Sequence, residues 1–318
     1  SDVYKRQQYY LTMSTNFGTV SPGSGWHDAG VKVDIQAFAP SVVDGERYVW
    51  LGWTGTGLGS NSTMYNPAQV TMNGPITQTA AWRHEFRLTM AANFGTTTPS
   101  VGEHWHEAGT VLTISASAPS AVDGERYIWL GWTGAGTISY SGMLNPATDS
   151  VTMNSPVTET AAWRHEFRLT MATNFGSTSP SVGEHWYEAG TPLNIQAFAP
   201  DLVYPADKER YVWLGWTGSG LGSYTNGDNP ASITMNGPIT ETASWRHDYY
   251  LTVNTNPAEV LSLDPAAVSG QDWYEAETTA TVDAVQLVDK VAGESRYDFR
   301  SWSIGIPTGV GNKATVYM

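Results

Sequence analysis

Three histidines recur along the chain, and an acidic residue directly follows each of them. The pairs are His84-Glu85, His165-Glu166 and His247-Asp248. An imidazole beside a carboxylate is a combination used in general acid–base catalysis and in metal binding. Neighbouring residues of a β-strand point to opposite faces of the sheet, however, so within a strand these pairs would not meet. We therefore predict a structural role for the three histidines.

Two further patterns offer metal ligands. His104 and His106 could present two imidazoles on one face of a strand, and residues 222–229 form a segment rich in oxygen ligands. A zinc site needs three or four protein ligands and a calcium site about six to eight oxygens, and neither pattern supplies that number. We predict that the protein holds no metal ion and no cofactor.

Acidic residues also recur in Glu-Arg pairs. These pairs are Glu46-Arg47, Glu125-Arg126 and Glu209-Arg210. Glycoside hydrolysis requires two carboxyl groups at a defined separation across a cleft, and an active site repeated at regular intervals would be unusual. The pattern instead predicts cross-strand ion pairs and hydrogen bonds in turns. We expect that the protein is not an enzyme.

The composition limits the classes of function. The 318 residues include 30 acidic and 16 basic ones, which gives a net charge of −14. A nucleic-acid partner requires a basic surface that meets phosphates, so this balance argues against one. No apolar run reaches the ~20 residues that a membrane-spanning helix needs. A low charge content with abundant Thr, Ser, Gly and aromatic residues is typical of an extracellular β protein, and we expect a location at the cell surface.

The elements that position these residues belong to an internal repeat. Trp-Arg-His occurs at Trp82, Trp163 and Trp245, and Leu-Gly-Trp-Thr-Gly occurs once in each of the same intervals. This spacing predicts a tandem array of similar modules. The predicted repeats are 9–83, 84–164, 165–246 and a divergent, truncated fourth at 247–318. Residues 1–8 fit none of them, and we expect either a sequence artefact or a donor strand there.

Apolar and polar residues alternate with the period of a strand inside each repeat. Val33, Ile35 and Ala37, for example, alternate with charged and polar residues, and clusters of turn residues separate such runs. This pattern predicts about five short strands per repeat and no helix. We predict an all-β protein of four tandem small antiparallel β modules, each a sandwich or a grasp-like sheet, arranged as a rod.

The junctions between repeats contain no flexible linker. From Trp82 to Met90 the alternation continues without Gly, Pro or Ser, whereas a flexible linker would be rich in Gly and Ser. The last strand of one repeat is therefore predicted to run directly into the first strand of the next. The predicted junction residues are Trp82, His84, Phe86, Trp163, His165, Phe167, Trp245, His247 and Tyr249.

Aromatic residues and one sequon remain as candidate surface features. Trp26, Trp105, Trp186 and Trp273 each follow a loop, and exposed tryptophans could stack on sugars. Core packing and contacts between modules are the other interpretation of these side chains. Asn61-Ser62-Thr63 is a sequon, so Asn61 is a predicted glycosylation acceptor if the chain is secreted.

The repeat resembles the divergent internalin-B-type repeats of secreted and cell-surface proteins of bacteria and archaea. The resemblance lies in the motifs at 9–13, 18–22, 28–30, 52–55 and 80–82, and it covers nearly the whole chain. It implies a small β-rich module that serves as a stalk, an adhesin segment or a unit of a surface assembly. It implies no catalytic residues.

Two functions follow as expectations. The first is a structural extracellular protein that forms a cell-surface rod or filament through linker-free head-to-tail modules, with itself as the partner. The alternative is an adhesin or carbohydrate-binding stalk that uses exposed aromatic side chains on surface glycans. Exposed tryptophans at the same place in every module would favour the alternative, and buried or covered ones the first.

Overall fold

A computed structural model describes residues 5–203, 208–303, 306–307 and 312–318. The chain forms two compact units. The first unit contains Ser1–Ser120 and Tyr127–Arg164, and the second contains Ala121–Arg126 and His165–Met318. Within the described ranges, no helix combines the length and the apolar character that crossing a lipid bilayer requires.

The first repeat consists of strands joined by tight turns. The strands are β1 (Gln8–Thr15), β2 (Thr19–Ser21), β3 (Gly25–Asp28), β4 (Lys32–Phe38), β5 (Glu46–Thr56), β6 (Ala68–Thr71) and β7 (Ile76–Ala92). Every second residue of β4 is buried, as the alternation of Val33, Ile35 and Ala37 with polar residues predicts. The short strands β2 and β3 were not predicted, because they contain too few residues to show a period.

The second and third repeats use the same order of strands. The second contains β8 (Thr96–Thr98), β9 (Gly102–Glu107), β10 (Val111–Ser117), β11 (Glu125–Ala135), β12 (Ala147–Thr152) and β13 (Val157–Thr173). The third contains β14 (Ser177–Ser179), β15 (Gly183–Glu188), β16 (Pro192–Phe198), β17 (Glu209–Ser219), β18 (Ala231–Thr234) and β19 (Ile239–Leu251). The chain is thus β-rich, as predicted, with several sheets.

Two kinds of sheet occur in these repeats. Each repeat has a small antiparallel sheet, with the orders β2-β4-β6, β8-β10-β12 and β14-β16-β18. A larger sheet contains the long strands, and in it β7 pairs antiparallel with β5 and with β9. β7 also pairs in parallel with β1, from Leu11 opposite Ile76 to Thr15 opposite Ala80. The prediction of a purely antiparallel module is therefore wrong for this pair, because the first and last strands of a repeat point the same way.

Three hydrophobic clusters of matching composition form the cores of these repeats. In the first repeat the cluster consists of Leu11, Met13, Val33, Ile35, Ala37, Trp53, Val70, Met72, Ile76, Ala80 and Trp82. Equivalent residues form the clusters of the second and third repeats. Full burial of a Leu or Ile side chain contributes about 1.5–3 kcal/mol, so each cluster is the main source of stability of its repeat.

Residues 247–318 have a different organisation. The elements are α1 (Glu259–Leu263), β20 (Val268–Ser269), β21 (Asp272–Glu275), β22 (Thr279–Ala284), β23 (Leu287–Val291), β24 (Ser295–Asp298), β25 (Ile306–Pro307) and β26 (Lys313–Tyr317). The one-and-a-half-turn helix α1 corrects the expectation of a chain without helices. It was not predicted because five residues are too few to show an apolar stripe. The buried clusters of this region are smaller than those of the other repeats.

Candidate functional site: the junctions between repeats

Strand β7 contributes to two repeats. It pairs with β1 from Ile76 to Ala80 and with β5 from Thr77 to Phe86, and its residues from Glu85 onward pair with β9 of the second repeat. Strand β13 has the same double role at the next junction, where its residues from Glu166 onward pair with β15. The absence of Gly and Pro from these 17-residue strands allows the backbone ladder to continue from one repeat into the next.

Arg47 of the first repeat contacts a carboxylate and an indole ring at the first junction. The Nε and Nη2 atoms of Arg47 donate to Glu85 Oε2 at 2.7 and 2.6 Å. The guanidinium carbon of Arg47 lies 4.3 Å from the ring centroid of Trp105, which belongs to the second repeat. A cation over an indole face is stabilising by about 0.5–2 kcal/mol. Arg47 therefore connects β5, β7 and β9.

Glu85 has an ion-pair partner on either side. Arg83 Nε donates to its Oε1 at 2.6 Å, opposite the contact with Arg47. Burial alone would raise the pKa of Glu85, but hydrogen bonds and the charges of Arg47 and Arg83 outweigh this effect and lower the pKa. Glu85 is thus a buried carboxylate that stays ionised because two guanidinium groups compensate for its lost hydration.

His84 contacts a carboxylate from the opposite strand rather than its neighbour in sequence. His84 Nε2 donates to Glu46 Oε1 across 2.6 Å. The imidazole also stacks on Tyr48, with ring centroids 4.4 Å apart and an angle of 8° between the planes. The prediction that His84 does not pair with Glu85 agrees with this geometry, and the diagonal partner Glu46 was missed. Glu46 and Arg47 of β5 therefore bind His84 and Glu85 of the neighbouring strand β7.

The same set of contacts occurs at the second and third junctions. At the second, His165 Nε2 lies 2.6 Å from Glu125 Oε1, Arg126 Nη2 lies 2.7 Å from Glu166 Oε2, and Arg126 lies 4.2 Å from the Trp186 ring. At the third, the corresponding distances are 2.9 Å for His247–Glu209, 2.9 Å for Arg210–Asp248 and 4.3 Å for Arg210–Trp273. The cross-strand ion pairs predicted for the Glu-Arg pairs are present at all three junctions.

An asparagine side chain holds the backbone of each closing tryptophan. Asn16 Nδ2 donates to the carbonyl oxygen of Trp82 at 2.7 Å, and Asn16 Oδ1 accepts from the Trp82 N–H at 2.9 Å. Asn93 binds Trp163 and Asn174 binds Trp245 in the same way. The amide side chain thus makes the two hydrogen bonds that the backbone of a neighbouring strand would otherwise make with the tryptophan. The recurring Asn-Phe-Gly motif marks the asparagine of this contact in each repeat. The tryptophan that the asparagine binds could not be predicted from the sequence.

The predicted junction residues lie at or next to these contacts. Trp82, Trp163 and Trp245 are buried in the three cores, and Phe86 is buried as well. His84, His165, His247, Phe167 and Tyr249 are half-buried. His165 and Phe167 have their ring centroids 4.5 Å apart, and His247 and Tyr249 4.4 Å apart. The structure therefore brings together the histidine and the following aromatic residue at each junction.

The four loop tryptophans do not share one environment. Arginine side chains cover Trp105, Trp186 and Trp273, whereas 66% of the Trp26 surface is exposed. The covered rings are half-buried. These four tryptophans therefore do not form an exposed sugar-stacking platform in every repeat.

The remaining candidate residues occupy separate places. His104 Nε2 lies 2.6 Å from the carbonyl oxygen of Ser100, and burial followed by the charge of His104 lowers the pKa of His106. Among the described residues, no group of three or more His, Asp and Glu side chains is arranged to hold a metal ion. Asn61 Nδ2 donates to the carbonyl oxygen of Gln69 at 3.0 Å, so glycosylation of Asn61 would require that this hydrogen bond opens.

A buried polar side chain lies below the same loop in each of the three regular repeats. In the first repeat it is Gln78, whose Oε1 accepts from the Asn61 N–H at 3.0 Å and whose Nε2 donates to the Asn61 carbonyl at 2.8 Å. In the other two it is Glu159 and Glu241, which accept from the backbone N–H of Tyr140 and Tyr224 at 2.6 and 2.7 Å. All three side chains are fully buried.

Both glutamates retain one buried oxygen, Oε2, without a hydrogen-bond partner. Burial raises the pKa of Glu159 to about 7 and that of Glu241 to about 6, and the hydrogen bond from the loop N–H offsets only part of this effect. No charged side chain contributes to either shift. A protonated carboxyl would have a donor at the position that Nε2 of Gln78 occupies in the first repeat. The sequence analysis missed these residues, because no pattern around them indicates burial of a charge.

Comparisons with protein-family models, with curated proteins and with solved structures find no match for this chain.

Proposed function

We propose that this chain is a structural extracellular protein, a segment of a cell-surface rod or filament built from tandem β modules without linkers. The observation that carries the proposal is strand β7, which closes the core of the first repeat and opens that of the second. A strand that belongs to two cores transmits order from one to the other, and a tandem array with coupled neighbours is a suitable scaffold.

The junction contacts support the same role. Each one joins a Glu-Arg pair, a histidine, an acid and the tryptophan of the following repeat, and it recurs with distances that agree within 0.3 Å. Such a contact fixes the orientation of a strand end and lowers the freedom of the backbone between repeats. The low charge content and the resemblance to internalin-B-type repeats support the extracellular, cell-surface location.

Coupling between repeats tests this proposal. Ile35→Ala removes a fully buried side chain from the core of the first repeat, which costs about 2–5 kcal/mol. If the repeats form a coupled array, hydrogen exchange will speed up in β10 of the second repeat as well as in β4. The matched control is Val42→Ala, an exposed apolar residue of the same repeat, which should change neither rate.

Two outcomes would contradict the proposal. Faster exchange confined to the first repeat would mean that the repeats behave as independent beads. Electron microscopy gives the second test: the structural role predicts stiff rods or fibres with a repeat set by the modules, and flexibly bent particles would contradict it.

A specific observation keeps the adhesin alternative as a second candidate. Trp26 and Tyr10 present an exposed aromatic pair, with ring centroids 5.3 Å apart, and aromatic faces stack on sugars. In this alternative the chain is a glycan-binding stalk with its binding surface on the first repeat. Binding of oligosaccharides that is lost in Trp26→Ala would favour this function.

A further inference from the structure

The dipeptide Asn-Gly occurs three times in the chain, at Asn73-Gly74, Asn226-Gly227 and Asn236-Gly237. In such a pair the backbone nitrogen of the glycine can attack the side-chain amide carbon of the asparagine, because glycine has no Cβ that hinders the approach. The attack requires that the two atoms come within about 3–3.5 Å and that the backbone adjusts as a five-membered ring closes. The three copies therefore differ in reactivity according to how the fold holds them.

Two of the copies lie in equivalent turns, one in the first repeat and one in the third. Gly74 and Gly237 are buried there. The turn of the first repeat packs directly on the following loop, since the carbonyl oxygen of Pro75 lies 2.1 Å from the place that a Cβ on Gly57 would take. The turn of the third repeat makes the same contact. These turns have no room in which the backbone could adjust to a closing ring.

The remaining copy, Asn226-Gly227, has a different environment. Both residues are exposed, and a Cβ on Gly227 would meet no atom within 4 Å. The Gly227 N–H donates to Oδ1 of Asn226 at 2.8 Å. This oxygen is bonded to the amide carbon at about 1.2 Å, so the nitrogen already lies beside the carbon that it would attack. In the part of the chain that the structure describes, neither of the other two copies has this hydrogen bond between glycine and asparagine.

We propose that Asn226 is a site of spontaneous deamidation, with the backbone nitrogen of Gly227 as the nucleophile. The nitrogen forms a bond to Cγ of Asn226 and gives up its proton, the C–N bond of the amide breaks, and the amide nitrogen leaves as ammonia. The product is a succinimide ring. Water then adds to one of the two ring carbonyls and opens the ring, which yields aspartate or isoaspartate.

The modification acts on the contact between this loop and the core of the third repeat. The carbonyl oxygen of Asn226 accepts from the Trp216 N–H at 2.9 Å, and that of Gly227 accepts from Trp213 Nε1 at 2.8 Å. Trp216 is buried in this core and Trp213 packs against it. In isoaspartate the main chain continues through Cγ, and the former backbone carbonyl becomes a free carboxylate. The acceptor of the Trp216 N–H therefore becomes charged, and the chain between the two acceptors is rearranged.

Peptide mass spectrometry of the full chain, incubated for weeks at mildly alkaline pH, tests the site. Deamidation at Asn226 should be faster than at Asn73 and Asn236 by on the order of 10-fold, because only there are the reacting atoms adjacent and free to move. In denaturant the three rates should become similar, because the following residue is glycine in each case. Hydrogen exchange of the aged, folded protein should be faster at Trp216 and unchanged at Trp53, its counterpart in the first repeat.

Gly227→Ala places a methyl group on the attacking residue, where space is free and φ lies outside the left-handed region. The variant should fold and should deamidate at Asn226 more slowly by on the order of 10-fold. Gly25→Ala is the matched control, since its Cβ also meets no atom within 4 Å, and it should leave the rate unchanged. Equal rates at the three asparagines of the folded protein would overturn the proposal. A difference that persists in denaturant, or an unchanged rate in Gly227→Ala, would overturn it as well.

Discussion

The first repeat and the two that follow bury different groups at the same position below the same loop. Gln78 satisfies both the N–H and the carbonyl of Asn61, whereas Glu159 and Glu241 each leave one buried oxygen unpaired. The amide of glutamine can both donate and accept a hydrogen bond at any pH. The carboxyl of glutamate can donate one only when it is protonated. One fold therefore contains a pH-independent version and two pH-dependent versions of the same contact.

The direction of the pH effect follows from the raised pKa values. Unfolded glutamate titrates near 4.5, and folded Glu159 and Glu241 titrate at about 7 and about 6. Below pH 4.5 both states hold the proton and the full contribution to stability is present. As pH rises towards 7, the unfolded chain releases the proton first, so stability is lost through this window and is then constant.

The largest expected effect is that of Glu159→Gln combined with Glu241→Gln. The double variant should be more stable than wild type by on the order of 5 kcal/mol at pH 8, since each raised pKa unit corresponds to about 1.4 kcal/mol. At pH 4 the two proteins should be equally stable. Denaturant unfolding at both pH values measures the difference, and a gain that is the same at pH 4 and pH 8 would contradict the proton-based explanation.

Glu159→Gln alone should give more than half of this gain. Its pKa is raised further than that of Glu241, and we expect about 3 kcal/mol at pH 8. Hydrogen exchange in β10 and β12 localises the effect to the second repeat. Glu184→Gln, which removes an exposed carboxyl, is the matched control and should have little effect on either strand.

Gln78→Glu transfers the pH dependence to the first repeat. Gly55 leaves no free space beside this side chain, because a Cβ there would lie 2.0 Å from Gln78 Oε1, so a carboxylate cannot turn towards solvent. We expect a loss of about 2 kcal/mol at pH 8 and almost none at pH 4, measured by hydrogen exchange in β4. Equal losses at the two pH values would indicate a packing defect instead.

The smallest effect is expected for Glu241→Gln. The pKa of about 6 predicts a gain of about 1–2 kcal/mol at pH 8, confined to the third repeat. The pKa of Glu241 lies about one unit below that of Glu159. The stability gained in Glu241→Gln should therefore reach its maximum at a lower pH than the stability gained in Glu159→Gln. Parallel pH series of the two single variants test this order, and the opposite order would contradict the assignment.

Glu85 and Asp248 set the opposite trend at acidic pH. Their burial is outweighed by arginine partners, so their pKa values lie below 4.5 and 3.8 in the folded protein. Their contribution is present above those values and is lost as pH falls through the lowered ones. Below the pKa of free glutamate the buried loop carboxyls are protonated in both states and no longer change stability, whereas protonation of the junction carboxylates lowers it.

The sequence predicts the strands of this protein better than the contacts between them. The alternation of Val33, Ile35 and Ala37 and the uninterrupted run after Trp82 predict β4 and the shared strand β7, because period and composition are local properties. The partners Glu46 of His84 and Trp105 of Arg47 were not predictable, since they depend on strand register and on which repeat lies next to which. Glu159 was missed for a similar reason: only the tertiary structure buries it.

The parallel pairing of β1 with β7 has a mechanical consequence. Leu11 lies opposite Ile76 and Thr15 opposite Ala80, so the first and last strands of the repeat run side by side in one direction. A pulling force on the two ends of the repeat acts on opposite ends of this pair. It therefore loads all of the hydrogen bonds between the strands at once, in shear, instead of opening them one after another. The same arrangement of β13 with β19 would give the third repeat this resistance to tension.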